Sequence, residues 1–187
     1  ALNLLSAMTA AYPEAASAAD ARRRSDELVL LITGLSDREA QLMVTIEDSG
    51  RASTSEGRRA IIELGRIAIY EPTSAEVDPS TVVPMLNDVA ELADEQPAQA
   101  AQALFLLAEY YSALENYLQA GNTFLDVAAT DPSNGDLAAY ALLRAAQAYS
   151  AIGMTEEVRV LVDRLEESFP RSEWITEARR LLPEEQE

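Results

Sequence analysis

A repeated unit between residues 101 and 170 constrains the fold more than any other feature of this chain. When two copies are aligned on Pro132 and Pro170, which lie 38 residues apart, small and apolar residues recur at matching positions in steps of three and four. They are Leu104, Leu107, Ala108, Tyr111, Ala120, Phe124 and Val127 in the first copy, and Leu142, Ala145, Ala146, Tyr149, Val158, Val162 and Leu165 in the second. Such steps place residues on one side of an α-helix. Each copy therefore predicts two helices, with proline ending the second because it lacks an N–H.

Within each copy, the pattern also predicts how the two helices pack. Ala108 and Ala146 are small enough to let two helices approach, and we expect them at helix crossings. Tyr111 and Tyr149 follow three residues later, and we expect both aromatic rings to be buried between the paired helices.

This pattern resembles the tetratricopeptide repeat, whose usual length is about 34 residues. The extra residues here fall in the segment 133–137, where Asn-Gly marks a turn. The Phe-Pro-Arg-Ser sequence at 169–172, followed by Ala178, is similar to repeat junctions of bacterial envelope members that assist outer-membrane barrel assembly or belong to the Tol–Pal system. The resemblance implies an all-α fold, an α-solenoid of antiparallel helix pairs.

The region before these copies predicts a degenerate third one. Its first helix runs from about Thr54 to Tyr70, and its second, at about 81–95, is aligned backward from Pro97. That alignment places Met85, Val89 and Leu92 in the core. Residues 1–53 are predicted to form N-terminal helices packed on the repeats, and residues 54–187 are predicted to form the array. The array comprises the repeats 54–96, 97–132 and 133–170, followed by a cap helix and tail at 171–187. The cap helix is expected at 172–182, and an earlier one is expected to begin at Ser36 and end near Gly50.

Composition limits the function classes. The chain has 32 acidic residues against 14 arginines, a net charge of −18, which argues against binding nucleic acid or an anionic membrane surface. It weakly favours basic partners. With neither His nor Cys, and without a phosphate-loop or nucleophile motif, we expect no enzyme activity, metal or cofactor. No run of about 20 apolar residues is present, and a start at Ala1 leaves open that a leader or anchor was trimmed.

The resemblance further implies a concave groove lined by fixed positions of each first helix. Those positions are Arg59, Ile62, Arg66 and Ile69 in the degenerate copy, Gln102, Phe105, Glu109 and Ser112 in the next, and Tyr140, Leu143, Gln147 and Ser150 in the last. Apolar residues interleaved with polar ones suit a bound peptide or helix, with Phe105 and Tyr140 at the centre. Alternatively, the N-terminal helices of the chain itself cover Ile62, Phe105 and Leu143.

The sequence thus predicts a non-catalytic scaffold that binds another protein or peptide segment in a bacterial envelope complex. The expected location is periplasmic or envelope-associated, with the cytoplasm as the alternative. Two other hypotheses remain: a self-assembling structural module, which would form a homo-oligomer, and a binder of small apolar ligands. A closed pocket lined by Phe105, Tyr140 and Leu143 would favour the last.

Overall fold

The computed structural model describes residues 37–71 and 77–183, and all regular secondary structure in these ranges is helical. The helices are α1 (37–48), α2 (Ser55–Tyr70), α3 (Pro79–Ala90), α4 (Pro97–Ala113), α5 (Tyr117–Thr130), α6 (Gly135–Ala151), α7 (Thr155–Ser168) and α8 (Ile175–Arg179), with a 3-10 turn at Arg51–Ser53. The prediction of an all-α fold is therefore confirmed. The helices predicted within residues 1–36 and the tail at 184–187 lie outside the described residues. In the described ranges, no helix combines the length and the apolar character needed to cross a bilayer.

The 38-residue period reappears in the backbone. Helices α4 and α6 each have 17 residues, α5 and α7 each have 14, and every boundary of the second pair lies 38 residues after its counterpart. The connecting turns also match, because Glu115 and Gly153 both have left-handed φ angles, of 58° and 74°. The next backbone N–H in each turn, of Asn116 or Met154, donates to a tyrosine carbonyl of the preceding helix at 2.9 or 3.0 Å.

The second helix of each pair stops where the sequence predicts. Helices α5 and α7 end at Thr130 and Ser168, two residues before Pro132 and Pro170. The connections between α4, α5, α6 and α7 are only three or four residues long, and consecutive helices pack against each other. Such short links reverse the chain direction, so successive helices are neighbours in space.

Small residues are buried in the core that these helices share. Ala108 and Ala146 are completely or almost completely buried, as predicted for helix crossings. Tyr149 is also buried, at 5% exposure, and its hydroxyl donates to the side-chain Oδ1 of Asn122 at 2.7 Å. Its ring lies against the α5 backbone at Gly121, where an added Cβ would be 2.3 Å from a ring carbon. The predicted burial of Tyr111 is wrong in degree, because that ring is only partly buried at the boundary between two core clusters.

The degenerate copy shows a clearer difference from the prediction. Pro97 does not end this copy but occupies the first turn of α4, where its missing N–H is tolerated. Helix α3 accordingly ends at Ala90, and its buried residues are Val82, Leu86 and Val89. The predicted core set of Met85, Val89 and Leu92 is therefore displaced by three residues, and only Val89 belongs to both sets.

A buried cation joins the start of α2 to its neighbours. Arg58 is 7% exposed; its Nε donates to Gln99 Oε1 of α4 at 2.5 Å, and its Nη1 donates to the Ala52 carbonyl at 2.8 Å. Because a buried guanidinium needs hydrogen-bond acceptors, these contacts fix α2 against α4 and the 3-10 turn.

At the other end, the cap helix is shorter than the predicted span 172–182. Helix α8 covers only Ile175–Arg179 and packs on α6 and α7. Ala178 is fully buried there, while Trp174 and Ile175 are partly buried against the core.

Candidate binding groove

A cavity of about 500 Å³ lies between α2 and α4, within the range typical of ligand pockets. It is lined by Arg59, Ile62, Glu63, Arg66 and Tyr70 of α2, by Gln102, Phe105 and Leu106 of α4, and by Leu137 of α6. The α2 residues recur at helical spacing and therefore share one face of that helix. Ile62, Phe105, Leu106 and Leu137 supply an apolar floor, and the charged and amide groups stand around it.

The structure brings five of the predicted groove residues together in this cavity: Arg59, Ile62, Arg66, Gln102 and Phe105. The other predicted residues do not line it; they are Ile69, Glu109, Ser112, Tyr140, Leu143, Gln147 and Ser150. Two of them make contacts within the chain. Leu143 is only 1% exposed and belongs to the core, and Gln147 donates from Nε2 to Glu177 Oε1 at 2.8 Å. The groove prediction is therefore wrong for Leu143, because neighbouring helices cover this face of α6.

Glu109 is occupied by an intramolecular ion pair. Arg144 of α6 approaches both of its carboxylate oxygens, with Nη2 donating to Oε2 at 3.1 Å. The two side chains are 11% and 22% exposed. Burial raises the pKa of Glu109, and Arg144 offsets only part of that effect. This carboxylate therefore ties α4 to α6 and does not present a free negative charge to a basic partner.

An aromatic row continues from Phe105 towards the end of the chain. Phe105 stacks on Tyr140 with ring centroids 5.7 Å apart and meets Phe124 edge-on at 5.4 Å. Tyr140 in turn contacts Trp174 at 4.7 Å. The Arg144 guanidinium lies 5.1 Å from the centroid of the Phe124 ring. Such contacts stabilise packing, so Tyr140 serves to join α4, α6 and the segment before α8.

Several residues of the cavity were not among the predicted groove residues. Glu63 and Tyr70 could have been found from α2 periodicity, since they lie four and eleven residues after Arg59. Leu137 carries no such signal, because its position depends on how α6 follows α4. Tyr70 is 50% exposed, yet the partial burial of its phenol and the nearby Glu109 carboxylate raise its pKa to about 12. Like an ordinary tyrosine hydroxyl, that of Tyr70 is neutral at physiological pH and can donate a hydrogen bond into the cavity.

The charge at the cavity is opposite to the charge of the whole chain. Of the described residues, Arg59 and Arg66 line it together with one acid, Glu63. The Oε1 atom of Glu63 accepts from Arg38 Nη2 at 2.6 Å. The described residues of this surface therefore carry a local positive charge within a chain of net charge −18.

In comparisons with protein-family models, curated proteins and solved structures, no match to this chain was found. The cavity between α2 and α4 and the repeated helix pairs are consequently the features from which a function can be inferred.

Proposed function

We propose that this protein is a non-catalytic interaction scaffold of tetratricopeptide type, and that the cavity between α2 and α4 holds a segment of another protein. The cavity carries the proposal: an apolar floor at Ile62, Phe105 and Leu106 is surrounded by polar groups that can orient a bound chain. Gln102 is exposed on α4 beside this floor, and its amide can both donate to and accept from a peptide backbone.

The matched helix pairs support a solenoid arrangement. Two pairs of equal length, joined by equal turns and separated by one constant spacing, are what a stack of repeated helix pairs requires. The first helices of such pairs line one surface, and the cavity lies between two of these helices. We place the scaffold in a bacterial envelope complex, in the periplasm, because of the resemblance of the 169–172 segment to envelope repeat junctions. Fractionation of the native cell would test this: recovery with the cytoplasmic proteins would contradict it.

A self-assembling module is the second candidate, and scattered exposed apolar side chains favour it. Leu114, Leu118 and Val160 are all more than half exposed, although single exposed apolar residues are common on monomers. The small-ligand hypothesis expected a closed pocket lined by Phe105, Tyr140 and Leu143. In the described part of the chain, Leu143 is buried, and Phe105 is the one residue of these three that lines the cavity, so this observation does not favour a small ligand.

Site-specific photocrosslinking in the native cell tests the proposal. A photoreactive amino acid at Gln102 places the probe beside the cavity, and the same amino acid at Gln119 of α5 is the matched control, since both glutamines are exposed. We expect a discrete crosslinked product with a second protein from position 102 and none from position 119. Products of twice the chain mass would favour self-assembly. Equal products from both positions, or none from 102, would contradict a groove scaffold.

A further inference from the structure

The charge of the cavity rim specifies the partner more closely, an inference that rests on the proposed function. Arg59 and Arg66 lie seven residues apart, two turns along the same face of α2, with Ile62 between them. Both arginines are exposed. In a chain with more than twice as many acids as arginines, two arginines facing one apolar cavity are a local reversal of sign.

Among the described residues, these two cations are poorly neutralised. Arg66 Nη1 lies 3.8 Å from Glu63 Oε2, beyond hydrogen-bond distance, and 61% of its side chain is exposed. Glu63 makes its short contact with Arg38 instead. Arg59 forms no ion pair within residues 37–71 and 77–183. Within 37–71 and 77–183, three arginines thus share one carboxylate at this edge of the cavity, which leaves positive charge available to a ligand.

We propose that the cavity binds an acidic, extended peptide segment in which a bulky apolar residue lies between two carboxylates. The apolar side chain packs on Ile62, Phe105 and Leu106, and the flanking carboxylates pair with Arg59 and Arg66. The spacing agrees with this arrangement. The two arginines are about 10 Å apart along the helix axis, and side chains on one face of an extended strand recur at about 6.6 Å and about 13 Å. Long arginine side chains can span the difference of a few ångströms.

A set of capped peptides tests the charge preference. The probe has the core Glu-Ser-Leu-Ser-Glu within a Gly–Ser sequence, with an acetylated N-terminus and an amidated C-terminus, so that no terminal carboxylate contributes. Two matched peptides replace both Glu residues by Gln or by Lys. We expect fluorescence anisotropy with the full chain to show binding that is roughly fivefold weaker for the Gln peptide, as for two solvent-exposed ion pairs, and weaker again for the Lys peptide.

Paired variants locate the effect. Arg59→Gln combined with Arg66→Gln should abolish the difference between the Glu and Gln peptides. Arg159→Gln combined with Arg164→Gln, two exposed arginines of α7, changes the net charge equally and should leave the difference intact. If both double variants reduce the difference to the same extent, overall charge explains the preference and the proposed pairing is wrong.

The outcomes separate this inference from the scaffold proposal. All three peptides could bind equally, and this binding could be lost in the Gln102→Tyr variant, whose larger side chain crowds the cavity. That result would support an apolar groove but overturn the acidic partner. Tightest binding of the Lys peptide would overturn it as well. If no peptide binds although position 102 still crosslinks to a partner, the scaffold proposal stands and the acidic segment is excluded. Failure of both experiments would remove both proposals.

Discussion

Replacing Gly121 by Ala should destabilise the protein, although the same change usually stabilises a helix. Gly121 lies within α5, and an added Cβ would lie 2.3 and 2.7 Å from two carbons of the Tyr149 ring. That ring is buried and cannot move freely. Displacing the ring would also lengthen or break the hydrogen bond from the Tyr149 hydroxyl to Asn122 Oδ1.

The expected magnitude combines three opposing effects. Ala in place of Gly in a helix interior contributes about 1 kcal/mol of stability. Overpacking a close contact costs about 1–3 kcal/mol, and losing the tyrosine hydrogen bond costs about 1 kcal/mol more. The free energy of unfolding of Gly121→Ala should therefore fall by about 1–3 kcal/mol, which urea denaturation followed by circular dichroism would measure.

Two further variants make this reasoning refutable. Gly135→Ala is the matched control, because its added Cβ would have only ordinary contacts, 3.6 Å or more, with the Phe169 ring; its stability should remain close to that of the parent. In a Tyr149→Ala background, itself about 3–5 kcal/mol less stable, Gly121→Ala should reverse sign and stabilise. If Gly121→Ala stabilises the parent protein, the Tyr149 ring does not pack on this helix as described.

Three other changes have defined expectations. Glu115→Gly should raise the free energy of unfolding by up to about 1 kcal/mol, because Glu115 has a left-handed φ of 58° that costs a non-glycine residue about 1–2 kcal/mol. Gly153→Ala at the matching turn should lower the free energy of unfolding by about 1 kcal/mol. Chemical denaturation would measure both changes, and changes of the same sign would contradict the matched turns. Ala146→Leu should lose about 1–3 kcal/mol in the same assay, since Ala146 is 1% exposed, and an unchanged midpoint would mean that no helix crossing lies there. In an ultraviolet pH titration, one tyrosine should ionise at about 12 and disappear from the curve in Tyr70→Phe; because the folded state holds this proton more tightly than the unfolded state, its contribution makes stability fall as the pH rises from about 10 to about 12.

The helix pairs between residues 97 and 168 could be predicted from sequence because the same spacing of small and apolar residues occurs twice there. The core residues Val82 and Leu86 of α3 could not be predicted, because the alignment of the degenerate copy depended on one proline. Proline both follows helices and begins them, and Pro97 belongs to the first turn of α4. Periodicity predicts that a helix is present. To predict which of its residues face the core, one must also know whether the proline follows this helix or begins the next one.

The candidate site was predicted only in part, for a related reason. Five cavity residues were identified because each helix face follows from its period; they are Arg59, Ile62, Arg66, Gln102 and Phe105. The burial of Leu143 could not be anticipated, since it depends on how closely neighbouring helices approach α6. The ion pair between Glu109 and Arg144 joins residues 35 positions apart, and neither charge reveals its partner in the sequence. Net charge likewise does not indicate the sign of a local surface.

The arrangement of the described helices has a consequence for cooperativity. Helix contacts mainly join elements that are adjacent or one apart in the sequence, so α1 and α8, at the two ends of the described residues, have little direct influence on each other. Proteins rich in such local contacts fold quickly, and their segments can open in turn rather than all at once. The central pair α5 and α6, which has neighbours on both sides, should exchange its amide hydrogens most slowly. Helix α8, with five residues at the margin of the core, should exchange fastest.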